Sequence, residues 1–320
     1  MHGRKTVLFL AALIFSAAAQ AFPTKPVKII VAFPPGGGTD IVARLLAQRL
    51  TDAWGQPVIV ENRAGASGTI GTEAAARAEP DGHGLFMATM GNMTANQHLY
   101  PKMAVDPLRA FAPITKVVDV HFVFLANPAL RANGVRELIE AAKKRPGEIA
   151  YSSSGPGGAP HLAMELFKRR AGVELTHIPY KGSGPSINDL IGGRVMLTMD
   201  SLVQSLPHIK SGRLKALAVL GPKRTALLPE VPTIAESGLP GYALTNWFGL
   251  LAPAATPKDV LLQLNGDVVK ILRQEDLQKR ISALGADVVG NSAEEFGAAM
   301  RAESAQWAEI IKAAGIRIEE

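Results

Sequence analysis

Residues 34–40 read Pro-Pro-Gly-Gly-Gly-Thr-Asp and directly follow the apolar run Val27–Phe33. This order predicts a strand, a glycine loop and a helix. The first N–H groups of any helix lack an intrahelical partner, and the helix dipole adds partial positive charge there. Gly36, Gly37 and Gly38 carry no Cβ to keep a ligand away from the backbone. The corner from Pro35 to Thr39 therefore suits a small anion, with the Thr39 hydroxyl as a further donor. Asp40 is expected as a first-turn acid that favours the dipole, not as a direct contact to an anion. A second corner of the same kind follows at residues 151–161, YSSSGPGGAPH. Ser153, Ser154, Gly155, Gly157, Gly158 and Ala159 there offer hydroxyls and backbone N–H groups at a predicted helix start. Two such corners facing each other would form a clamp for a carboxylate.

Other predicted strand ends add polar groups. Thr89, Gly91 and Asn92 follow one strand, the run Lys181–Gly184 another, and Asp200 a third. Asp200 can cap the next helix, or receive a ligand ammonium or an ordered water. A different chemistry competes for the second corner. Ser152–Ser154 with His161 could serve a secreted serine hydrolase, but no G-x-S-x-G elbow is present and no acid is fixed to orient the histidine. The segment Gly65–Gly71 has the spacing G-x-x-G-x-x-G, which departs from the dinucleotide fingerprint. The histidines form no H-E-x-x-H grouping, and the chain has no cysteine. No metal and no cofactor are expected, and thiol chemistry and disulfides are excluded.

The elements that must position these residues alternate between strand and helix, which predicts an α/β layered fold. Val27–Phe33, Val58–Val60, Leu85–Met90 and Val120–Ala126 read as strands. The helix from Thr39 carries Ile41, Val42, Leu45, Leu46 and Leu50 on one stripe and stops at Gly55 and Pro57. A second series runs through strands at 148–152, 174–180, 195–199 and 214–220. The last part of the chain reads as mostly helical. Val120–Ala126 is expected to carry the chain into a second domain and Leu214–Leu220 to carry it back. The expected division is 22–118 with 225–320 as one discontinuous domain and 119–224 as the inserted one. Ligands of such folds bind between domains, outside the carboxyl ends of the strands.

The chain has 320 residues, 47% hydrophobic and 19% charged, which fits about two globular domains. Its net charge of +6 falls to +4 without Arg4 and Lys5 (6 − 2). Basic clusters such as Lys143–Arg145 are short and scattered, so no nucleic-acid footprint is expected. Residues 1–21 have a basic start, an apolar stretch Val7–Ala19 and an Ala-Gln-Ala site. This is the pattern of a secretory signal peptide cleaved between Ala21 and Phe22, and it predicts a periplasmic protein.

With both corners in view, the chain resembles the Bug family of periplasmic solute receptors, which belong with the substrate-binding proteins of tripartite tricarboxylate transporters. The similarity runs through FPTKPVKIIVAFPPGGGTDIVAR, VIVENRAGASGTIG, YSSSGPGGAPHLAMELFKRRAG, HIPYKGSGPSINDLIGGRV, MLTMDSLVQSLPHIKSGRLKALAV, LPEVPTIAESGLPGY and WFGLLAPAATP. It implies a two-domain periplasmic-binding-protein fold, Venus-flytrap and type II-like, with two crossover strands. It also implies a monomer without catalytic activity that holds a small organic acid by backbone N–H groups and ordered water. The contacts would fall on Pro35–Thr39 and Ser153–Ala159, with Asp200 at the family's strand-end acid. Partners would be membrane permease subunits or a sensor domain. One stretch departs from the family. Met90-Gly91-Asn92-Met93-Thr94-Ala95 stands where Gly-Thr-His-Ala is common, and Met93 is expected to widen the pocket for a less polar acid.

Overall fold

The computed structural model describes residues 22–100 and 102–316, so the expected signal peptide lies outside the described residues. Among the described residues there are eleven strands: β1 (Val27–Val31), β2 (Val58–Asn62), β3 (Gly84–Thr89), β4 (Phe111–Val120), β5 (Phe122–Ala126), β6 (Ala150–Ser153), β7 (Thr176–Pro179), β8 (Leu197–Ser201), β9 (Lys215–Val219), β10 (Asn246–Pro253) and β11 (Ala286–Val288). Ten α-helices accompany them: α1 (Gly38–Trp54), α2 (Thr69–Ala76), α3 (Pro107–Ala110), α4 (Val135–Lys144), α5 (Ala159–Ala171), α6 (Ser183–Ile191), α7 (Leu202–Lys210), α8 (Lys258–Leu272), α9 (Glu275–Leu284) and α10 (Ala293–Ala314).

The strands form two sheets, in the orders β11-β4-β10-β3-β1-β2 and β7-β6-β8-β5-β9. In the first, β1 lies between β2 and β3 and is parallel to both, so the β1–β2 connection runs to one side and the β2–β3 connection crosses back over β1. In the second, β6 stands in the same relation to β7 and β8. Each sheet thus has a topological switch point at the carboxyl end of one strand, where the departing connections leave a crevice. The glycine corner follows β1 in one case and β6 in the other.

Four of the five residues of β1, VKIIV, are buried, as expected of a central strand covered on both faces. Helix α1 buries Val42, Ala43, Leu46, Ala47 and Leu50 and ends at Gly55, which takes the left-handed conformation at φ 65°. The two aromatic pairs Phe124–Phe167 and Trp247–Phe296 meet edge to face, at 5.0 Å between ring centres in each case.

The passage between the sheets corrects one expectation. Only His121 separates β4 from β5, so the first crossing is made by a nearly continuous strand, as Val120–Ala126 predicted. The return is not made by Leu214–Leu220. Strand β9 stays in the second sheet, paired antiparallel to β5. The chain returns through the irregular segment 220–245 and re-enters the first sheet as β10, antiparallel to β4 and β3. Satisfied backbone pairing along β5 holds β9 where periodicity alone could not assign it.

Gly71 explains the third glycine of the Gly65–Gly71 segment. A Cβ there would lie 2.5 Å from the Ala32 Cα and 2.7 Å from the Arg63 carbonyl oxygen. This glycine lets α2 pack directly on the chain after β1. Gly71→Ala should therefore cost about 1–3 kcal/mol through backbone displacement. Gly55→Ala, at an open position, should cost about 1 kcal/mol from its left-handed φ alone. Urea titrations of the two variants test this ordering, and equal losses would show that close packing at Gly71 contributes nothing.

Candidate binding site

Helices α1 and α5 begin at Gly37 and Gly158, both in extended backbone and neither with a side-chain cap. By contrast α3, α7 and α10 are capped by Asp106, Ser201 and Ser292. Thr39 lies inside α1, in its first turn. The first-turn donors at both glycine corners therefore stay available. Some are used locally. Gly36 N–H donates to Asp40 Oδ2 at 3.0 Å, and Gly38 N–H to Gln204 Oε1 at 2.9 Å. In the second corner Gly155 N–H donates to Ser153 Oγ, Gly157 N–H to His161 Nδ1 and Gly158 N–H to the Gly155 carbonyl. Among the described residues no protein acceptor takes the N–H groups of Thr39, Asp40, Ser154 or Ala159.

Of these residues Thr39, Ser154 and Ala159 border a space of about 40 Å³. At roughly 10–15 Å³ per water it holds about three water-sized groups, the scale of one carboxylate with a water. Its wall includes Gly37, Gly38, Thr39, Thr89, Ser154, Ala159 and Asp200 from the expected set. It also includes Phe33, Phe122, Pro160, Ser183, Ser201, Asn246 and Phe248. No lysine or arginine lines it.

The remaining expected residues lie around this space. Pro35 and Gly36 face a separate hollow on the other side of the loop. Gly91 packs against the second corner, where a Cβ would stand 3.6 Å from both Ala159 N and the Gly157 carbonyl oxygen. Asn92 sits behind Thr89, its Oδ1 accepting from Thr89 N and Oγ1. Gly155 meets the opposite loop, where a Cβ would fall 2.5 Å from Ser67 Oγ. Gly157 and Gly158 shape the turn into α5. Ser153 points away from the space, with its Oγ 2.7 Å from His177 Nε2. Met90 and Met93 are fully buried in the core and do not line the space, so the expected widening by Met93 is not seen. Phe33, Phe122 and Phe248 supply the apolar wall instead.

Asp40 is almost fully buried and serves the loop. Burial pushes its carboxyl up, but Arg44, the Gly36 N–H and Asn62 outweigh this and hold it below the ordinary value. Asp200 is different. Its Oδ1 accepts from Ser201 N at 2.7 Å, and its Oδ2 is buried without a hydrogen-bond partner. Ser201, not Asp200, caps α7. Burial pushes Asp200 up to about 6, only partly offset by the Ser201 N–H and by the nearby Ser183 and Gln204 side chains. Asn246 Oδ1 and Gln204 Nε2 are likewise buried and unpartnered.

The hydrolase constellation does not assemble. His161 Nδ1 accepts the Gly157 N–H at 3.1 Å, and its ring stacks on His177 at 4.3 Å. Ser152 Oγ accepts from Ser186 Oγ at 2.8 Å. Burial pushes His161 down to about 4 and His177 down to about 3, so both rings are neutral at neutral pH. His177 meets a serine, but that serine lies off the space.

The sequence from residue 42 to residue 316 matches the family model described as tripartite tricarboxylate transporter family receptor. The chain belongs to this receptor family. The receptor is 37% identical over 309 residues to Protein BugT of Bordetella pertussis, covering 96% of this chain and 95% of that one. It is similar to the solved structure of Rpa4515 of R. palustris with adipate, with 38% identity, a TM-score of 0.90, and coverage of 92% and 99% of the two chains. MatC of Rhodopseudomonas palustris with bound malate gives 31% identity, a TM-score of 0.87, and coverage of 91% and 100%. The fold is the two-domain periplasmic-binding-protein fold, as the resemblance to Bug proteins implied. Among the described residues the receptor has no helix long and apolar enough to cross a membrane.

Phe122, Asn246, Phe248 and Gln204 carried no signal strong enough for sequence reasoning to place them at the site. A single asparagine opening the buried run NWFGLLAP was the one available signal.

Asp200 binds its proton more tightly in the folded chain than in the unfolded one. Its protonated form therefore contributes stability below pH 3.8, and this contribution is lost as pH rises through about 6. Asp200→Asn should be more stable than the native protein at pH 7.5, by about 3 kcal/mol at most. The gain should shrink below pH 6 and vanish near pH 4. A gain independent of pH in thermal melts would show that the carboxyl does not titrate as described.

Proposed function

We propose that this receptor captures a small carboxylate-containing organic acid between its two lobes. The observation that carries the reading is the convergence of two uncapped, glycine-led helix starts on one small space without a lysine or arginine. Free N–H groups of Thr39, Ser154 and Ala159, with the Thr39 and Ser154 hydroxyls, match an acid group and an ordered water. Neutral donors hold an anion well in a dry site, where each hydrogen bond to a charge is strengthened. Two solved relatives, one with adipate and one with bound malate, point the same way.

The lobe 119–224 closes against 22–118 with 225–320, and the ligand favours that state because only there does it meet both corners. The receptor acts without chemistry on its ligand. It works as an exported monomer, released from its leader after Ala21, and hands the acid to a membrane permease or a sensor domain.

A thermal-shift screen of mono-, di- and tricarboxylates against their amides tests this reading. One acid should raise the melting temperature while its amide does not, since only native-state binding stabilises. Thr39→Val should weaken that acid about ten- to a hundredfold by removing one donor to a charged group, with little change in folding. Equal responses to acid and amide, or an acid consumed during incubation, would overturn the proposal.

A further inference from the structure

A second hollow lies across the glycine loop from the inner space. This hollow, of about 220 Å³, is bordered by Pro35, Gly36, Ile187, Asn188, Gln204 and His208. Gly38 lines the inner space and Gly36 the hollow, so the loop between them is the shared wall. Gln204 completes it from the opposite lobe. Its Oε1 accepts the Gly38 N–H at 2.9 Å across 166 residues of sequence. The residue is only 9% exposed, and its Nε2 is buried without a partner. Asp200, four residues earlier, lines the inner space and has an unpartnered Oδ2, and His208, four residues later, has an unpartnered Nδ1 and borders the hollow.

Buried polar groups left unpaired on either side of a wall mark places that a polar ligand can satisfy. The inner space holds about three water-sized groups, enough for an acid head and no chain. The hollow behind the Gln204 amide offers room for a longer ligand. We infer that Gln204 is a specificity-determining residue, a partition that limits the receptor to short acids by closing the inner space off from the hollow. The inference rests on the carboxylate reading above. Opening the partition would join the two spaces. A linear dicarboxylate could then keep its head at the glycine corners and reach Asn188 and His208 with its far end.

Calorimetric titration of the mature protein with succinate, adipate, suberate and sebacate tests this, alongside Gln204→Ala and Gln204→Met. The native protein should bind most tightly at the short end of the series. Gln204→Ala should move the optimum toward suberate or sebacate, with about a tenfold gain for the longest acid relative to the shortest. Gln204→Met keeps the bulk and should keep the short preference. An unchanged order of affinities in Gln204→Ala, or the same shift in Gln204→Met, would overturn the partition.

Hydrogen exchange at the Gly38 amide without any acid gives a second readout. It should be about tenfold slower in the native protein than in Gln204→Ala. Equal exchange would overturn the wall itself. Slow exchange in a native protein that binds none of the acids would instead remove the carboxylate reading, and the chain-length assignment with it.

Discussion

The structure depends on where two sets of unpaired helix N–H groups are aimed. A helix start must find acceptors outside itself, and most starts use a side chain, water or a neighbouring loop. Here α1 and α5 begin on glycine with no side-chain cap, and both follow the central strand of a switch point. The two starts face one small interior space. Everything around them can be read as support for that arrangement. Asp40 accepts from the Gly36 N–H and is held in turn by Arg44 and Asn62. His161 does the corresponding work in the second corner by accepting from Gly157.

Electrostatics at the space follow from what is absent from its wall and from what is buried beside it. Among the described residues no lysine or arginine lines it, so in the proposed reading attraction for an anion comes from oriented N–H groups and the partial charge of two helix starts. Such donors are fixed before a ligand arrives and need no reorganisation. Asp200 stands in the same wall with one oxygen unpartnered. A carboxylate in that position repels a second one unless it carries a proton, and burial moves it in that direction. The site therefore combines donors for an acid head with an acid group that ligand hydroxyl, ammonium or water can satisfy.

Behind the wall, polar contacts tie the site to the frame. Glu303 on α10 accepts from Trp247 Nε1 at 2.9 Å and from Thr94 Oγ1 at 3.0 Å. It thereby links β10 to the turn Gly91–Ala95 that follows β3. Thr89 and Phe248, which face each other in the β3–β10 register, both reach the space. Tyr100 OH donates to the Pro156 carbonyl at 2.5 Å, joining the segment after that turn to the second glycine corner. These contacts connect one sheet to the loop of the other.

The sequence alone determined what is local. The run Val27–Phe33, the three glycines and the apolar stripe of α1 fix a strand, a loop and a helix, because each signal acts over a few residues. The same holds for Ser152–Ala159 and α5, and for the strand end at Asp200. These residues also identified the family. Tertiary structure decided what depends on distant segments meeting. Leu214–Leu220 has the pattern of a crossing strand, yet pairing with β5 keeps it in the second sheet and leaves the return to β10. Phe122, Asn246 and Phe248 reach the site only because β5 and β10 begin at the crossing. Ser153 and Met93 were close in sequence to residues of the wall but point elsewhere, since alternate residues of a strand face opposite sides and a wide turn re-aims its side chains. Gln204 gives no sign in sequence of meeting Gly38, because a hydrogen bond between segments so far apart exists only once two lobes are packed together.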